Sequence, residues 1–165
     1  MTVHAGGCLC GVLRYETRAD PVRVTICHCR FCQRATGSAY MVEPIFRCED
    51  LTVLAGQPSV FDIRSSGSGK VVHVHFCATC GTKLYLTFER FPGLCGVYAG
   101  TFDEPNWFSI DSKNSKHIFV GVARHDTILP AGVSVFTEHA TTNDGTPCEA
   151  TVFDQPRPVS AGRQL

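Results

Sequence analysis

The stretch "CHCRFC", residues 27–32, places three cysteines within six positions of a 165-residue chain that has ten cysteines in all. Three thiols are one fewer than the four ligands that close a structural zinc site. They equal the number of protein ligands that usually hold a catalytic zinc ion, whose fourth position is left for water or substrate. The stretch therefore raises the question of whether a distant residue completes the site or the site is open.

Two further cysteine pairs have the spacing of metal ligands, "CLC" (8–10) and "FCATCG" (76–81). A C-x-x-C turn followed by glycine brings two sulfurs to one ion, and its backbone N–H groups can donate to the thiolates. The spacing favours one closed site made of both pairs and a second, open site made of the 27–32 cysteines. Other divisions, in which the 8–10 pair takes ligands from the 27–32 stretch, also fit the spacing. The favoured closed site comprises Cys8, Cys10, Cys77 and Cys80, and the open one comprises Cys27, Cys29 and Cys32.

Composition predicts an ordinary globular protein of one domain. Hydrophobic residues make up 44% of the chain, and Lys+Arg and Asp+Glu both number 15. A net charge of zero gives no electrostatic reason to expect a nucleic-acid or membrane partner. The N-terminus lacks the features of a secretory signal, and no apolar run approaches the roughly 18 residues of a transmembrane helix. We therefore expect a cytoplasmic protein, whose reduced thiols bind metal and form no disulfides.

The remaining pattern is that of many short β-strands. "VRVTIC" (22–27) and "VVHVHF" (71–76) alternate, and the second places Val72, Val74 and Phe76 on one face. Similar segments recur between turns rich in Gly, Pro, Ser and Asp. They are "VLRYE", "AYMVE", "LTVL", "SVFDI", "KLYLTF", "CGVYAG" and "HIFVGV". The pattern predicts a mainly β, single-domain fold.

One short helix is expected over "RFCQRAT" (30–36), ending at Gly37. Residues 1–136 are predicted to form the zinc-binding β domain. Residues 137–165 are polar and are predicted to form an irregular C-terminal extension, packed on that domain or trailing from it. Val152 and Phe153 are the candidate anchors of this extension.

Five motifs together resemble the glutathione-dependent formaldehyde-activating (GFA) family, whose domain is shared with centromere protein V. They are "GGCLCGVLRYE", "CHCRFCQRATGSAY", "HFCATCGTKLY", "AGTFDEP" and "KHIFV", in that order, within about residues 5 to 136. The resemblance implies several short, coiled antiparallel β-sheets and two zinc ions per chain. It implies a structural zinc on Cys8, Cys10, Cys77 and Cys80 and a catalytic zinc on Cys27, Cys29 and Cys32. The implied reaction condenses glutathione with formaldehyde, or a related small aldehyde, to S-(hydroxymethyl)glutathione, and is that of a carbon–sulfur lyase.

Charge indicates how an open three-thiolate zinc site would be used. Three thiolates around Zn²⁺ give a net charge of −1, which weakens the ion as a Lewis acid for carbonyls but leaves it able to bind and deprotonate a thiol. Arg30 and Arg34 are four residues apart in the predicted helix. They are candidates to bind the glutathione carboxylates, or are solvated surface residues. His28 lies inside the cysteine trio and is a candidate catalytic proton donor.

Other residues have simpler interpretations. His73 and His75 are expected on an exposed strand face, and His117 is a weaker candidate to reach the site. Cys48 and Cys95 lack ligand spacing and are expected to be buried as small apolar residues.

Two alternatives to an enzyme stay open at this point. One is a non-catalytic zinc-binding module in which a protein group such as histidine fills the fourth position at the trio. The other is a thiol-responsive zinc-binding protein that releases the ion at Cys27. A homodimer is possible. The fourth ligand at the trio distinguishes an enzyme from a module.

Overall fold

A computed structural model of the chain describes residues 2–160. The described residues fall into two compact units, unit 1 with residues 2–23 and 43–109 and unit 2 with residues 24–42 and 110–160. The strands are β1 (His4–Gly7), β2 (Arg14–Thr17), β3 (Arg23–Cys27), β4 (Met41–Arg47), β5 (Leu51–Ala55), β6 (Ser59–Arg64), β7 (Val71–Phe76), β8 (Lys83–Phe88), β9 (Leu94–Val97), β10 (Ser115–Ile118), β11 (Ile128–Leu129), β12 (Ser134–Val135) and β13 (Arg157–Pro158). One α-helix, α1 (Arg30–Thr36), and three 3₁₀ turns (Cys48–Asp50, Ala99–Thr101 and Val120–Val122) complete the secondary structure of the described residues. The predicted mainly β fold with a short helix after the C-x-C-x-x-C stretch is confirmed.

Unit 1 is antiparallel throughout its described strand pairs. A three-stranded sheet has the order β1-β2-β5, and a second series has the order β4-β9-β8-β7-β6. Buried side chains of both cysteine pairs lie in the core between these strands. That core comprises Cys8, Leu13, Tyr15, Phe46, Cys77, Leu84, Cys95, Val97 and Phe102. One cysteine of each pair, Cys8 and Cys77, is therefore part of the packed interior of unit 1, whereas Cys10 is exposed.

Unit 2 departs from the expectation of antiparallel sheets alone. Strand β10 pairs in parallel with β3 on one side and with β12 on the other. Parallel neighbours need a long crossover, and here residues 28–114 separate β3 from β10 along the chain. The residue pattern within each segment gives no indication of this parallel pairing.

In two strands the burial of the side chains differs from what the alternating pattern predicts. In β3 every residue from Val24 to Cys27 is buried, although the sequence alternates. Burial on both faces is usual for strands with parallel neighbours. In β7 only Val74 is fully buried, and the two histidines are half-buried instead of exposed. Side chains of β6 and β8 contact these histidines, Asp62 beside His73 and Thr87 and Tyr85 beside His75.

Residues from Val120 onward form a small core in unit 2. It is built by Val120, Ala123, Leu129, Val135 and Val159, and Phe153 packs against it. Phe153 is thus an anchor, as expected, whereas Val152 is 54% exposed and is not. The division of the chain at residue 136 stays a prediction.

Helix α1 ends where the sequence predicts. Gly37 adopts φ 68°, and its N–H donates to the carbonyl of Gln33 at 2.9 Å. Only glycine enters this left-handed region without strain, so it is the usual residue at this position. Within residues 2–160, no helix has the length and apolar content needed to cross a membrane.

Replacing Gly37 by alanine should destabilise the protein by about 1 kcal/mol, because a Cβ is strained in the left-handed region. No atom lies within 4 Å of that Cβ, so the backbone conformation alone sets the cost. Gly67 is a matched control, since its Cβ would also meet open space but its φ lies outside the left-handed region. Chemical denaturation should show a lower free energy of unfolding for G37A and little change for G67A. Equal losses in both variants would contradict the capping role of Gly37.

Candidate metal centres

Four thiols converge in unit 1. The first pair follows β1, where the N–H of Gly11 donates to the carbonyl of Cys8 and closes a tight turn. The second pair follows β7, where the N–H of Gly81 donates to Cys77 in the same way. The two turns bring all four sulfurs within 4.8 Å of one another, with Cys10 Sγ 3.5 Å from Cys8 Sγ and 3.7 Å from Cys77 Sγ. We refer to Cys8, Cys10, Cys77 and Cys80 as the four-thiol cluster.

Hydrogen-bond donors surround this cluster. The N–H of Leu13 donates to Cys8 Sγ at 3.2 Å. The hydroxyl of Thr82 lies 3.1 Å from Cys80 Sγ and accepts from the N–H of Leu9 at 3.1 Å. Such donors stabilise thiolates and orient metal ligands. Thr82 therefore connects the two turns of the cluster.

The pKa values of the cluster differ in direction. The hydroxyl and N–H of Thr82 lower the pKa of Cys80 to about 5. The N–H of Val12 acts in the same direction on Cys10, but its sulfur neighbours, led by Cys8, outweigh it and raise the pKa of Cys10 to about 12. Adjacent thiolates repel, so the four protons cannot all leave unless a cation replaces them. The donor set fits a thiophilic metal ion.

Three thiols converge in unit 2. Cys27 ends β3 and is buried, Cys32 is buried on α1, and Cys29 is half-buried at the N-cap of α1. Their sulfurs lie within 4.8 Å of one another. Cys29 Sγ also accepts the N–H of Cys32 at 3.3 Å, so it caps the helix. We refer to Cys27, Cys29 and Cys32 as the thiol trio.

One thiol of the trio ionises much more readily than its neighbours. Hydrogen bonds from Cys27 and Cys32, together with backbone N–H groups, lower the pKa of Cys29 to about 3. The pKa of Cys32 is raised far above its ordinary value, chiefly by its bonds to the other two sulfurs and by burial. A bound cation would allow all three thiols to ionise together, because each thiolate would then face positive charge.

The two clusters differ in completeness. Four thiols meet the full ligand number of tetrahedral zinc, and three do not. In the described part of the chain, no further histidine, cysteine, aspartate or glutamate brings a ligand atom within 4.8 Å of all three sulfurs of the trio. The side chain of His28 is therefore not placed as a fourth ligand, even though it lies between two of the cysteines in sequence.

His28 instead belongs to a buried histidine pair. Its side chain is fully buried, and its Nε2 lies 3.0 Å from Nδ1 of His117 on β10. Burial lowers the pKa of both histidines to about 4, so both are neutral at pH 7. The Nδ1 of His28 is buried with no hydrogen-bond partner among the described residues, and the ring of Tyr40 lies 5.2 Å from the His28 ring. The parallel pairing of β3 and β10 brings His117, 89 residues away, to the trio.

Gln33 is a positioning residue that the sequence does not reveal. Its Nε2 donates to the carbonyl of His28 at 2.6 Å and to that of Val122 at 2.9 Å, and its Oε1 accepts from Arg30. One amide thus connects the trio loop, the helix and the turn after β10. The one feature of the sequence that could have indicated this role is the position of Gln33, next to the candidate ligand Cys32 on a helix of seven residues.

The two arginines of α1 are both exposed. Arg30 donates to Gln33, so it is linked to the loop of the trio through one side chain. Arg34 lies in the last turn, where a cation interacts favourably with the carbonyl end of the helix. The exposure of both residues is compatible with binding an anionic ligand and with simple solvation.

Three of the remaining expectations need correction. His73 Nδ1 lies within hydrogen-bond distance of Asp62 Oδ1, at 2.7 Å, and His75 bonds to Thr87 at 3.0 Å while stacking on Tyr85, so neither is a bare surface histidine. Cys48 is exposed, which contradicts its expected burial. Cys48 begins a 3₁₀ turn directly after β4, where the chain leaves the core.

The expectation for Cys95 holds. Its side chain is 1% exposed and packs in the core of unit 1, as a small apolar residue would.

Comparison with known proteins assigns the chain to a family. The chain belongs to the GFA family, because the model of that family, described as "Glutathione-dependent formaldehyde-activating enzyme", matches residues 3–121. A protein of Halomonas elongata that carries a provisional name as a glutathione-dependent formaldehyde-activating enzyme is 24% identical over 135 residues. The match covers 70% of this chain and 86% of that protein.

One solved structure shows a weaker likeness. It is the crystal structure of a Rhodobacter sphaeroides protein, 22% identical, with a TM-score of 0.46. The alignment covers 66% of this chain and 92% of that one.

Proposed function

We propose that the protein is a zinc-dependent carbon–sulfur lyase that condenses glutathione with formaldehyde, or a related small aldehyde, to S-(hydroxymethyl)glutathione. The four-thiol cluster holds a structural zinc ion and the thiol trio holds a catalytic one. Membership of the GFA family supports the reaction, and the all-thiolate donor sets support zinc as the metal. The thiol substrate and the reduced ligand thiols both suit a reducing compartment such as the cytoplasm.

The observation that carries the proposal is that residues 2–160 supply three ligands to the trio and no fourth. A non-catalytic module has no reason to leave a coordination position open, and the four-thiol cluster brings four thiols together where a closed site is proposed. His28 lies between Cys27 and Cys29 in the sequence, yet its Nε2 contacts His117. The open position therefore favours an exchangeable ligand over the module.

The side chains of the trio suit a thiol substrate. Zinc held by three thiolates would bind a fourth thiol and lower its pKa, so that glutathione is present as a thiolate at pH 7. The N–H groups around Cys29 fix that ligand and share its negative charge. In the reaction, the glutathione sulfur forms a bond to the aldehyde carbon while the carbonyl π bond breaks, and the carbonyl oxygen takes a proton.

We infer that the buried histidine pair handles that proton. The His28 ring can donate or accept at Nδ1, whichever tautomer its contact with His117 selects. Gln33 fixes the backbone of His28 from the opposite side. We assign His28 as the proton donor to the new hydroxyl group: in the tautomer with its proton on Nε2, its Nδ1 takes the proton that the glutathione thiol loses and returns it to the carbonyl oxygen, with His117 as the positioning residue.

Arg30 and Arg34 are assigned to the carboxylates of glutathione. Replacing both by alanine should raise the KM for glutathione about thirtyfold, because each charge-assisted hydrogen bond contributes on the order of 1 kcal/mol at an exposed site and the two together about 2 kcal/mol. Zinc content and kcat should stay nearly unchanged. Arg47, exposed in unit 1, provides the control substitution R47A. A KM in the double variant equal to that of the control would show that the two arginines are solvated surface residues.

The reaction itself is tested by exchange NMR at equilibrium. Glutathione, formaldehyde and their adduct interconvert without enzyme, so the expected result is a faster exchange between free and adduct signals when zinc-loaded protein is added. Protein with Cys29 replaced by serine should leave the spontaneous rate unchanged. If wild-type protein does not accelerate adduct formation with any small aldehyde, the enzyme proposal fails, and the non-catalytic module or the thiol-responsive zinc-binding protein becomes the better interpretation.

A further inference from the structure

Two cysteines that belong to neither cluster lie side by side in unit 1. Strand β4 pairs with β9 so that Phe46 is opposite Cys95. Cys48 follows two residues after Phe46, and its N–H donates to the carbonyl of Gly93 at 2.8 Å. Arg47 keeps an extended backbone (φ −70°, ψ 141°) up to the 3₁₀ turn that Cys48 begins, so Cys48 lies on the same side as Phe46 and Cys95. Gly93 has no side chain to separate the two cysteines. The Cys48 thiol is close enough to contribute to the raised pKa of Cys95.

The environments of the two thiols differ sharply. Cys48 is exposed at the start of a 3₁₀ turn, where a small molecule can reach it. Cys95 is 1% exposed and packs in the core of unit 1. Burial and the neighbouring Cys48 raise the pKa of Cys95 to about 12. Cys95 is therefore protonated and shielded from direct attack, whereas Cys48 is accessible.

We propose that Cys48 is a covalent modification site for low-molecular-weight disulfides and that Cys95 is its resolving thiol. The exposed thiol reacts first, and the buried thiol then displaces the adduct to form an internal Cys48–Cys95 disulfide. The arrangement of an accessible thiol with a shielded neighbour in contact is what this two-step chemistry needs. The inference does not rest on the proposed lyase reaction.

The chemistry balances with a disulfide such as glutathione disulfide as the oxidant. The thiolate of Cys48 attacks one sulfur of the reagent, which forms a mixed disulfide and releases one thiolate. The sulfur of Cys95 then attacks the Cys48 sulfur, which forms the internal disulfide and releases a second thiolate. The departing thiolate or water takes the proton of Cys95. Two protein thiols are oxidised, and one reagent disulfide is reduced to two thiols.

The experiment treats zinc-loaded protein with glutathione disulfide, alkylates the remaining thiols and maps the peptides by mass spectrometry. The wild-type protein should contain a Cys48–Cys95 disulfide with little retained adduct. The variant C95A should instead accumulate a stable glutathione adduct on Cys48, and C48S should show neither product. An excess of reduced glutathione should reverse both changes. Cys148, which lies in unit 2, reports any unspecific oxidation.

The zinc content should remain at its starting value throughout, since loss of metal would expose the seven cluster thiols to the reagent. Equal and stable Cys48 adducts in the wild-type protein and in C95A would overturn the resolving role of Cys95. Absence of any Cys48 product, under conditions that modify Cys148, would overturn the modification site. Because the readout is covalent mass, either failure leaves the proposed lyase activity untouched.

Discussion

Replacing Cys77 by serine is expected to cause the largest loss of stability of any single change considered. Cys77 is 1% exposed and packs with Cys8 in the core of unit 1. A structural zinc site contributes about 10–16 kcal/mol of binding free energy that is linked to folding, which is as large as the about 5–15 kcal/mol stability of a typical domain. Losing the ion should therefore leave the variant largely unfolded, with a loss of at least about 4 kcal/mol.

Cys95 provides a closely matched control for this variant. It has the same exposure and lies in the same core, but it belongs to neither cluster. C95S should cost only about 1–3 kcal/mol, the usual penalty for placing a hydroxyl in an apolar core, and should keep both metal ions. Circular dichroism, thermal unfolding and metal analysis distinguish the two outcomes. Similar stability and metal content in C77S and C95S would show that the four-thiol cluster holds no structural ion.

Replacing Cys29 by serine should have the opposite combination of effects. The thiol trio would keep two ligands, so the second metal ion should be lost and the rate of S-(hydroxymethyl)glutathione formation should fall to the uncatalysed rate. The fold should survive, because serine is among the best N-cap residues and its hydroxyl can accept the N–H of Cys32 as the thiol does. The expected loss of stability is below about 1 kcal/mol.

Cys148 is the control for Cys29, because it is also half-buried in unit 2 and lies outside both clusters. C148S should keep two metal ions and full activity. Metal analysis, thermal unfolding and exchange NMR on both variants provide the comparison. A C29S protein that unfolds together with its metal loss would mean that the trio is a structural site, which favours the non-catalytic module.

The sequence was sufficient where short-range patterns decide the structure. The bounds of α1 and its end at Gly37 follow from local capping chemistry, and the mainly β fold follows from strand-length segments between turns. The thiols group four and three, as the spacing favoured. Turns of fixed length account for the close cysteines within each pair and within the trio, whereas the meeting of Cys10 with Cys77 is a contact across 67 residues.

Long-range pairing accounts for most of what the sequence left out. Nothing within "KHIFV" indicates that β10 runs parallel to β3, and that pairing alone places His117 against His28. The triple contact of Gln33 depends on the carbonyl of Val122, which lies 89 residues away. The exposure of Cys48 depends on a 3₁₀ turn that separates this residue from the strand before it, so its apolar character was a poor guide.

The central claim is that the trio ion binds the sulfur of glutathione at an open coordination position. It is tested most directly by the absorption spectrum of protein in which cobalt(II) replaces zinc, because each thiolate bound to cobalt adds to the sulfur-to-metal charge-transfer band. Adding glutathione should strengthen that band, and an analogue with serine in place of the cysteine of glutathione should not. In C29S, which lacks the trio ion, glutathione should have no effect. An unchanged spectrum of the wild-type protein at saturating glutathione would contradict the claim.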